Sequence, residues 1–346
     1  MASFELYSHR QPATFDVGFS VAFSGITPAM PADDQNTVVV HAAETLKRGG
    51  LVAIPTETVY GLAANALDAH AVARIFAAKE RPFFDPLIVH LADAAWWPRV
   101  VREFPPMAQR LAERFWPGPL TLVLPKTDAV PDIVTSGLST VGVRVPDHPL
   151  TREVLRLANV PVAAPSANPF GRLSPTTAEH VRQQLGDRVD LILDGGPCRV
   201  GVESTILQIQ SDEATLLRPG GISLEEIEAM IGPVRRSTRS ETSQPAAPGM
   251  LDSHYAPRTK LVLVTEAPVV APPRAGLLVL KPPPHVEGFA IVEALSPTGD
   301  LIEAAANFFQ ALHRLDQAQL DVIFATPFPE EGLGRALNDR LRRAAH

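Results

Sequence analysis

Leu51-Val52-Ala53-Ile54-Pro55-Thr56-Glu57-Thr58-Val59-Tyr60-Gly61-Leu62 is the stretch on which the fold turns. Its first four residues form an apolar run of strand length, so they read as a short buried strand. The loop that follows carries two threonine hydroxyls, the Glu57 carboxylate and the Tyr60 phenol. It stands at the carboxyl end of a strand, where open α/β sheets collect their ligands. An ordinary strand-to-helix connection whose threonines cap the next turn explains that loop equally well.

Upstream, Val39, Ala43 and Leu46 are spaced like one face of a helix that Gly49-Gly50 ends. Residues 1–35 contain Pro12, Gly18, Gly25, Pro28 and Pro31 and no sustained period, and are set aside as an N-terminal extension. Downstream, strand signals recur at 87–91, 120–124, 141–145, 160–164, 191–193, 205–209 and 215–218, and helical spacing at 69–78, 107–115, 150–157, 176–185 and 224–231. That alternation predicts an α/β domain over 36–232. Some neighbouring strands are too close for helical crossovers, so the sheet should be mixed.

The periodicity stops between Pro233 and Pro257, where the run Ser237 to Gly249 has linker composition, so 233–258 is read as a linker. Residues 259–346 resume the alternation, with strands at 260–264, 276–280, 290–295 and 322–325 and helices at 301–315 and 333–345. They predict a second, smaller α/β domain without a glycine fingerprint for a dinucleotide.

Composition agrees with two domains. The chain has 346 residues, and single cores stop growing near about 250–300. At 45% hydrophobic, 20% charged and a mean hydropathy of +0.06 it is globular, and 34 prolines stiffen its loops. One cysteine, Cys198, excludes an internal disulfide and a cysteine-built zinc cluster, and fits a reducing compartment. No run approaches the roughly 18–20 apolar residues of a membrane span, and Glu5, His9 and Arg10 interrupt the place of a secretory signal, so a cytoplasmic protein is expected. The net charge of −7 argues against broad electrostatic binding of nucleic acid.

Neither GxxxxGK[ST] nor a GxGxxG between strand and helix occurs, and no second histidine stands at metal-ligand spacing from His90. Lys79-Glu80-Arg81-Pro82 leaves a helix with two cations, a pair suited to a polyanion: a mobile point charge beside a planar fork. Cations complementing a helix C-terminus are the commoner explanation. Arg144 sits in Ser139–Pro146, whose period of two puts Thr140, Gly142 and Arg144 on one face, and an arginine there needs an anion or water. Ser166-Ala167-Asn168 follows another apolar strand, and Ser174 is placed to cap the next helix. Gly201-Val202-Glu203-Ser204-Thr205-Ile206 and Arg218-Pro219-Gly220-Gly221 add polar clusters beside glycines. Each signal is weak alone. Together, hydroxyls and cations at several strand ends, without a metal cage or Ser-His-Asp spacing, suit catalysis by positioning and neutralising phosphates and carboxylates.

Read as a set, 55–62, Lys79-Glu80-Arg81-Pro82 with Pro86-Leu87-Ile88-Val89-His90, Ser166-Ala167-Asn168, Pro248-Gly249-Met250 and His254-Tyr255-Ala256-Pro257 resemble the threonylcarbamoyl-AMP synthase family in its long form. The resemblance runs from about Thr37 to the end, including Pro329-Glu330-Glu331-Gly332-Leu333-Gly334. It implies a twisted mixed-sheet YrdC-like α/β domain followed by a smaller Rossmann-like α/β domain. It also implies nucleotidyl transfer: L-threonine, bicarbonate and ATP, with magnesium on the phosphates, giving threonylcarbamoyl-adenylate and pyrophosphate. The product would serve modification of the tRNA adenosine next to the anticodon.

In the same terms Lys79 and Arg81 would be catalytic, neutralising the leaving pyrophosphate, and Thr58, His90, Arg144 and Ser204 would hold threonine. Lys79, Arg81, Asp85, Thr140, Ser166, Asn168, Ser174, Arg218, His254 and Tyr255 would line the nucleotide, the last two from a linker that closes over the site. No protein-held metal is implied. The partners expected are small-molecule substrates and a downstream tRNA threonylcarbamoyl-transfer machinery, with direct tRNA contact left open and a monomer or weak dimer as the assembly. Two positions depart from the family pattern: Asp85, usually asparagine, and Glu80, often glycine.

The rivals are an RNA-binding or regulatory YrdC-like relative without synthase activity, and a carbamoyl transferase of the hydrogenase-maturation type. Residues 36–235 hold 19 Lys and Arg against 22 Asp and Glu, which disfavours RNA binding as the main activity. One cysteine disfavours the zinc-finger-bearing transferase.

Overall fold

The computed structural model describes residues 32–237, 245, 247–251 and 253–345. The larger sheet has ten strands: β1 (Val52–Ile54), β2 (Gly61–Asn65), β3 (Ile88–His90), β4 (Leu120–Pro125), β5 (Thr140–Arg144), β6 (Val162–Ala163), β7 (Leu191–Ile192), β8 (Thr205–Gln210), β9 (Glu213–Arg218) and β10 (Arg235–Arg236). Their order is β10-β9-β8-β4-β5-β3-β6-β2-β1-β7, with parallel and antiparallel neighbours mixed as expected.

The apolar run 51–54 is buried on both faces of this sheet. Ala53, Leu62 and Ala64 enter one core with Val72, Ile75 and Phe76 of α2 (Ala69–Lys79) and Leu111 and Phe115 of α3 (Pro106–Phe115). Val52, Ile54 and Ala63 enter another, covered by Val39, Ala43 and Leu46 of α1 (Ala32–Lys47) and Val154, Leu155 and Ala158 of a helix at Pro149–Ala158. Burial on both sides explains a continuous apolar run instead of alternation. Each fully buried Leu or Phe contributes about 1.5–3 kcal/mol.

The smaller sheet is all parallel: β11 (Lys260–Leu263), β12 (Ala275–Val279), β13 (Ile291–Ala294) and β14 (Val322–Ala325) in the order β11-β14-β12-β13. Helices at Leu301–Gln317 and Gly334–Ala344 accompany it. Its core is not private: Val59, Leu173 and Val202 of the larger sheet's loops, with Tyr255, join Phe308, Phe309, Leu312 and Leu337 in one cluster. Among the described residues no helix is long and apolar enough to cross a membrane.

Three expectations are corrected. The loop after β1 leads to a strand: β1 and β2 pair antiparallel, Ile54 opposite Gly61, so 55–60 is a strand-to-strand turn. Its organiser is Thr56, whose Oγ1 donates to the Val59 carbonyl at 2.6 Å and accepts from the Thr58 and Val59 N–H groups at 3.2 Å. The helix at Ala178–Leu185 is capped by Thr177, which accepts from the His180 N–H at 3.2 Å, and not by Ser174. The first helix starts at Ala32, so 32–35 belong to it; the rest of the expected extension, 1–31, and the linker residues 238–244, 246 and 252 lie outside the described residues.

Candidate active site

The ends of β1, β3, β5, β8 and β9 converge on one cavity, roofed by the linker. Thr56, Thr58, Arg81, His90, Arg144, Ser166, Glu203, Ser204, Arg218, His254 and Tyr255 are the polar residues on its wall; Val59, Ile88, Ala164 and Pro165 are apolar ones.

Three guanidiniums meet there. Arg144, last residue of β5, donates from Nη2 to Glu57 Oε1 at 2.9 Å and from Nη1 to Thr58 Oγ1 at 3.1 Å, while Glu57 Oε2 accepts from the Asp147 N–H at 2.9 Å. Arg144 Nε is buried without a hydrogen-bond partner among the described residues. Arg81 donates from Nε to the Asp85 carbonyl at 3.1 Å and from Nη2 to the Pro86 carbonyl at 2.8 Å; Asp85 Oδ2 lies 2.8 Å from the same Nη2. That carboxylate is close without being aligned, so both Asp85 oxygens lack a hydrogen bond, and burial pushes its pKa up against the pull of Arg81.

Arg218 differs from both. It ends β9, is 4% exposed, and donates to the Ser204 carbonyl at 3.0 Å, Ser204 Oγ at 3.2 Å and the Pro248 carbonyl at 3.1 Å. All are neutral acceptors, and among the described residues it has no ion pair. Burial lowers the pKa of all three arginines, yet a guanidinium remains charged at neutral pH.

Glu203 is the one carboxylate on the wall among the described residues, and it is already engaged: Oε1 accepts from Ser174 Oγ at 2.5 Å and Oε2 from Arg340 Nε at 2.8 Å. No group of three or more His, Cys, Asp or Glu placed to hold a metal ion occurs among the described residues. His90 and His254 are buried, and burial drives both well below the ordinary imidazole pKa, so both are neutral at pH 7.

The structure thus brings Thr58, Arg81, His90, Arg144, Ser166, Ser204, Arg218, His254 and Tyr255 to one wall, and sets five expected residues elsewhere. Lys79 is 1% exposed and its ammonium donates to the carbonyls of Ser166 and Asn168, behind the wall. Asn168 donates to the carbonyls of Pro169 and Arg172 at 3.0 and 2.8 Å, bracing the same loop. Asp85 lies beneath Arg81, and Ser174 is held by Glu203. Thr140 lines an adjoining pocket with Thr121, Val123, Thr135, Val141 and Ala247, which shares Ile88 and Pro248 with the main cavity. The divergence of Lys79 from Arg81 comes from Glu80, which takes a left-handed conformation (φ 54°) and turns the chain sharply between them.

Sequence reasoning did not pick out Glu203 as a wall residue, nor Arg340. Glu203 stood within a quoted motif; Arg340 lies in a helix with three other arginines, Arg335, Arg342 and Arg343, and gave no signal.

A family model described as "Telomere recombination", named for Sua5, YciO and YrdC, matches residues 44–220. A second, "Threonylcarbamoyl-AMP synthase, C-terminal domain", matches 222–346. The chain is 42% identical over 315 residues to a threonylcarbamoyl-AMP synthase of Pyrococcus abyssi, covering 88% of this chain and 93% of the relative. It is 41% identical over 336 residues to one of Bacillus subtilis, covering 93% and 96%. A crystal structure of P. abyssi Sua5 complexed with L-threonine matches with a TM-score of 0.82 at 41% identity, covering 89% of this chain and 94% of that one.

Proposed function

The chain belongs to the threonylcarbamoyl-AMP synthase family, and on that footing we propose that it joins L-threonine, bicarbonate and ATP into threonylcarbamoyl-adenylate with release of pyrophosphate. Residues 36–232 are the catalytic unit in this reading, 233–258 its linker and roof, and 259–346 the smaller domain. The observation that carries it is Arg218, a buried cation with only neutral partners on a wall shared with Arg81 and Arg144. Such a wall favours an anion with several charges.

L-Threonine is placed against Thr58, His90, Arg144 and Ser204. The unpartnered Nε of Arg144 is a donor its carboxylate would take up. Threonine is bound in the P. abyssi relative, which supports threonine as a substrate. The triphosphate is placed against Arg81, Arg218 and Ser166, with His254 and Tyr255 above it; magnesium arrives with the nucleotide as part of the substrate. The adjoining pocket with Thr140 extends from the same wall and suits the nucleoside.

The threonine amine adds to bicarbonate and water leaves, giving the carbamate. A carbamate oxygen then attacks the α-phosphorus, and the bond to the β-phosphate oxygen breaks as pyrophosphate departs. Arg81 and Arg218 offset the charge that grows on the leaving group. Lys79 acts by holding the Ser166 loop. The roof keeps water from a labile acyl-adenylate. The adenylate is consumed by a transferase that modifies tRNA next to the anticodon.

Mass spectrometry of the chain with ATP, magnesium, bicarbonate and L-threonine tests this, with each substrate omitted in turn and with Arg218→Ala. Product only in the complete wild-type mixture is expected. No product from folded, ATP-binding protein overturns the reading.

A further inference from the structure

Arg340 belongs to α-helical residues Gly334–Ala344 of the smaller domain, yet its side chain is 0% exposed and ends against Glu203, behind the cavity wall of the larger one. Nε donates to Glu203 Oε2 at 2.8 Å, and Nη1 to the Pro219 carbonyl at 2.9 Å and to Asp339 Oδ2 at 2.7 Å. The guanidinium also lies 5.2 Å over the Tyr255 ring. Desolvating a guanidinium is costly unless its partners compensate, so contacts on this many elements mark a fixed position. One turn on, Arg343 donates to the Leu251 carbonyl, and its own carbonyl accepts from the His254 N–H at 3.1 Å. The last helix therefore holds both the wall and the roof.

Resting on the synthase reading, we propose that Arg340 is a positioning residue of the synthesis reaction: it holds Glu203 in place in the wall, with Ser174 braced behind that carboxylate, and packs on the Tyr255 ring, so that the wall keeps its shape toward the nucleotide. The smaller domain is then part of the active site.

The groups facing Glu203 are Arg340 from the last helix, Arg218 from β9, Tyr255 from the linker and Ser174 from the loop before Thr177, with Asp339 against Arg340 and near Tyr255. Burial pushes the Glu203 carboxyl up; Arg340, then Arg218 and the Ser174 hydroxyl, outweigh it and hold the pKa below the ordinary value. Without Arg340 the effect of burial is opposed far less, and Glu203 takes a proton more readily. A protonated Glu203 no longer has to accept from Ser174, whose hydroxyl is then free to turn.

The test is steady-state synthesis by the full chain against ATP and threonine over a pH series, with Arg340→Met, Arg340→Lys, Glu203→Gln and the Met/Gln double variant. Arg340→Met should raise the KM for ATP about tenfold or more, the effect of losing a hydrogen bond to a charged group, and leave the KM for threonine within about twofold. It should also gain an acid limb absent from wild type, with activity recovering as pH rises and Glu203 loses its proton. Arg340→Lys keeps a charge beside Glu203 and should lack that limb. Glu203→Gln should show the ATP defect without the limb, and the double variant should be no worse than the worse single one. Equal losses for both substrates with no acid limb, or multiplying defects in the double variant, overturn the proposal. If Arg340→Met does not fold, Glu203→Gln decides: an unchanged KM for ATP overturns it. A wild-type chain that makes no adenylate defeats the synthase reading instead, and ATP binding by calorimetry on the same variants still tests the link through Glu203.

Discussion

Glu57 and Arg144 meet at 2.9 Å with 0% and 3% of their side chains exposed, one from the turn after the first strand and the other from the end of β5. Breaking a buried pair by removing one partner leaves an uncompensated charge and costs about 3–5 kcal/mol, whereas replacing both by apolar groups is often neutral. Glu57→Gln should therefore lower urea-unfolding stability by about that amount. The pair Glu57→Leu with Arg144→Met should recover most of it while abolishing threonine binding by calorimetry. Retained threonine binding in the double variant would remove Arg144 from the threonine site.

Lys79 and Arg218 are both buried cations with neutral acceptors, but they face different sides of the wall. Lys79→Met strips donors from the Ser166 and Asn168 carbonyls, and each buried carbonyl left unpaired costs about 1–3 kcal/mol. Its expected signature is a fall in stability together with activity. Arg218→Met should instead weaken ATP binding and lessen its salt dependence, because the removed charge faces the cavity. Urea unfolding and ATP titration on both variants separate the roles. A Lys79 variant of native stability that has lost ATP affinity would return the lysine to the phosphates.

Five histidines, His90, His148, His180, His254 and His313, are held below their ordinary pKa, in each case chiefly by burial. His180 falls to about 3, stacked 3.8 Å from His313 across the two domains. In the folded chain these imidazoles take up protons less readily than in the unfolded chain, which does so below about pH 6.5. The unfolded state binds more protons as pH falls, so stability is full above that pH and declines below it. Each fully linked histidine contributes a slope of about 1.4 kcal/mol per pH unit. Urea unfolding between neutral pH and mild acid should show the decline, and His180→Phe, which keeps a ring beside His313, should reduce it by up to one proton. An unchanged slope would mean that His180 titrates alike in both states.

The α/β class, the mixed large sheet and most elements were legible because apolar periodicity is local: a strand buried on both faces is a continuous run, and a covering helix shows one apolar stripe. The Gly61–Asn65 strand was missed because it follows the turn directly and its small residues, Gly61, Ala63 and Ala64, resemble loop and helix alike. Nine expected site residues reached the wall because loops at strand ends converge in any such sheet. Lys79 did not, because whether a side chain faces a cavity or braces the loop behind it depends on the left-handed turn at Glu80, which no spacing reveals. Arg340 was illegible for the opposite reason. An arginine between other arginines on an amphipathic helix reads as a solvated face until the partner surface is known.

Gly249 holds the roof over Arg218. Its φ of +77° lies in the left-handed region, and a Cβ there would overlap the Tyr255 hydroxyl and stand 3.2 Å from Arg218 Nη1. Gly249→Ala is thus strained twice, by its backbone and by the ring and guanidinium it would displace; the backbone part alone costs about 1–2 kcal/mol. The strain falls on the linker, outside the strands and helices of both domains, so the fold should survive with a loss of stability. The function should suffer more: with Tyr255 displaced the roof admits water, and adenylate once formed is hydrolysed before release. Gly249→Ala should therefore still consume ATP, with AMP formed in excess over threonylcarbamoyl-adenylate, where wild type couples the two. Coupled turnover at the wild-type ratio would show that the roof tolerates a shifted tyrosine and that water is excluded elsewhere.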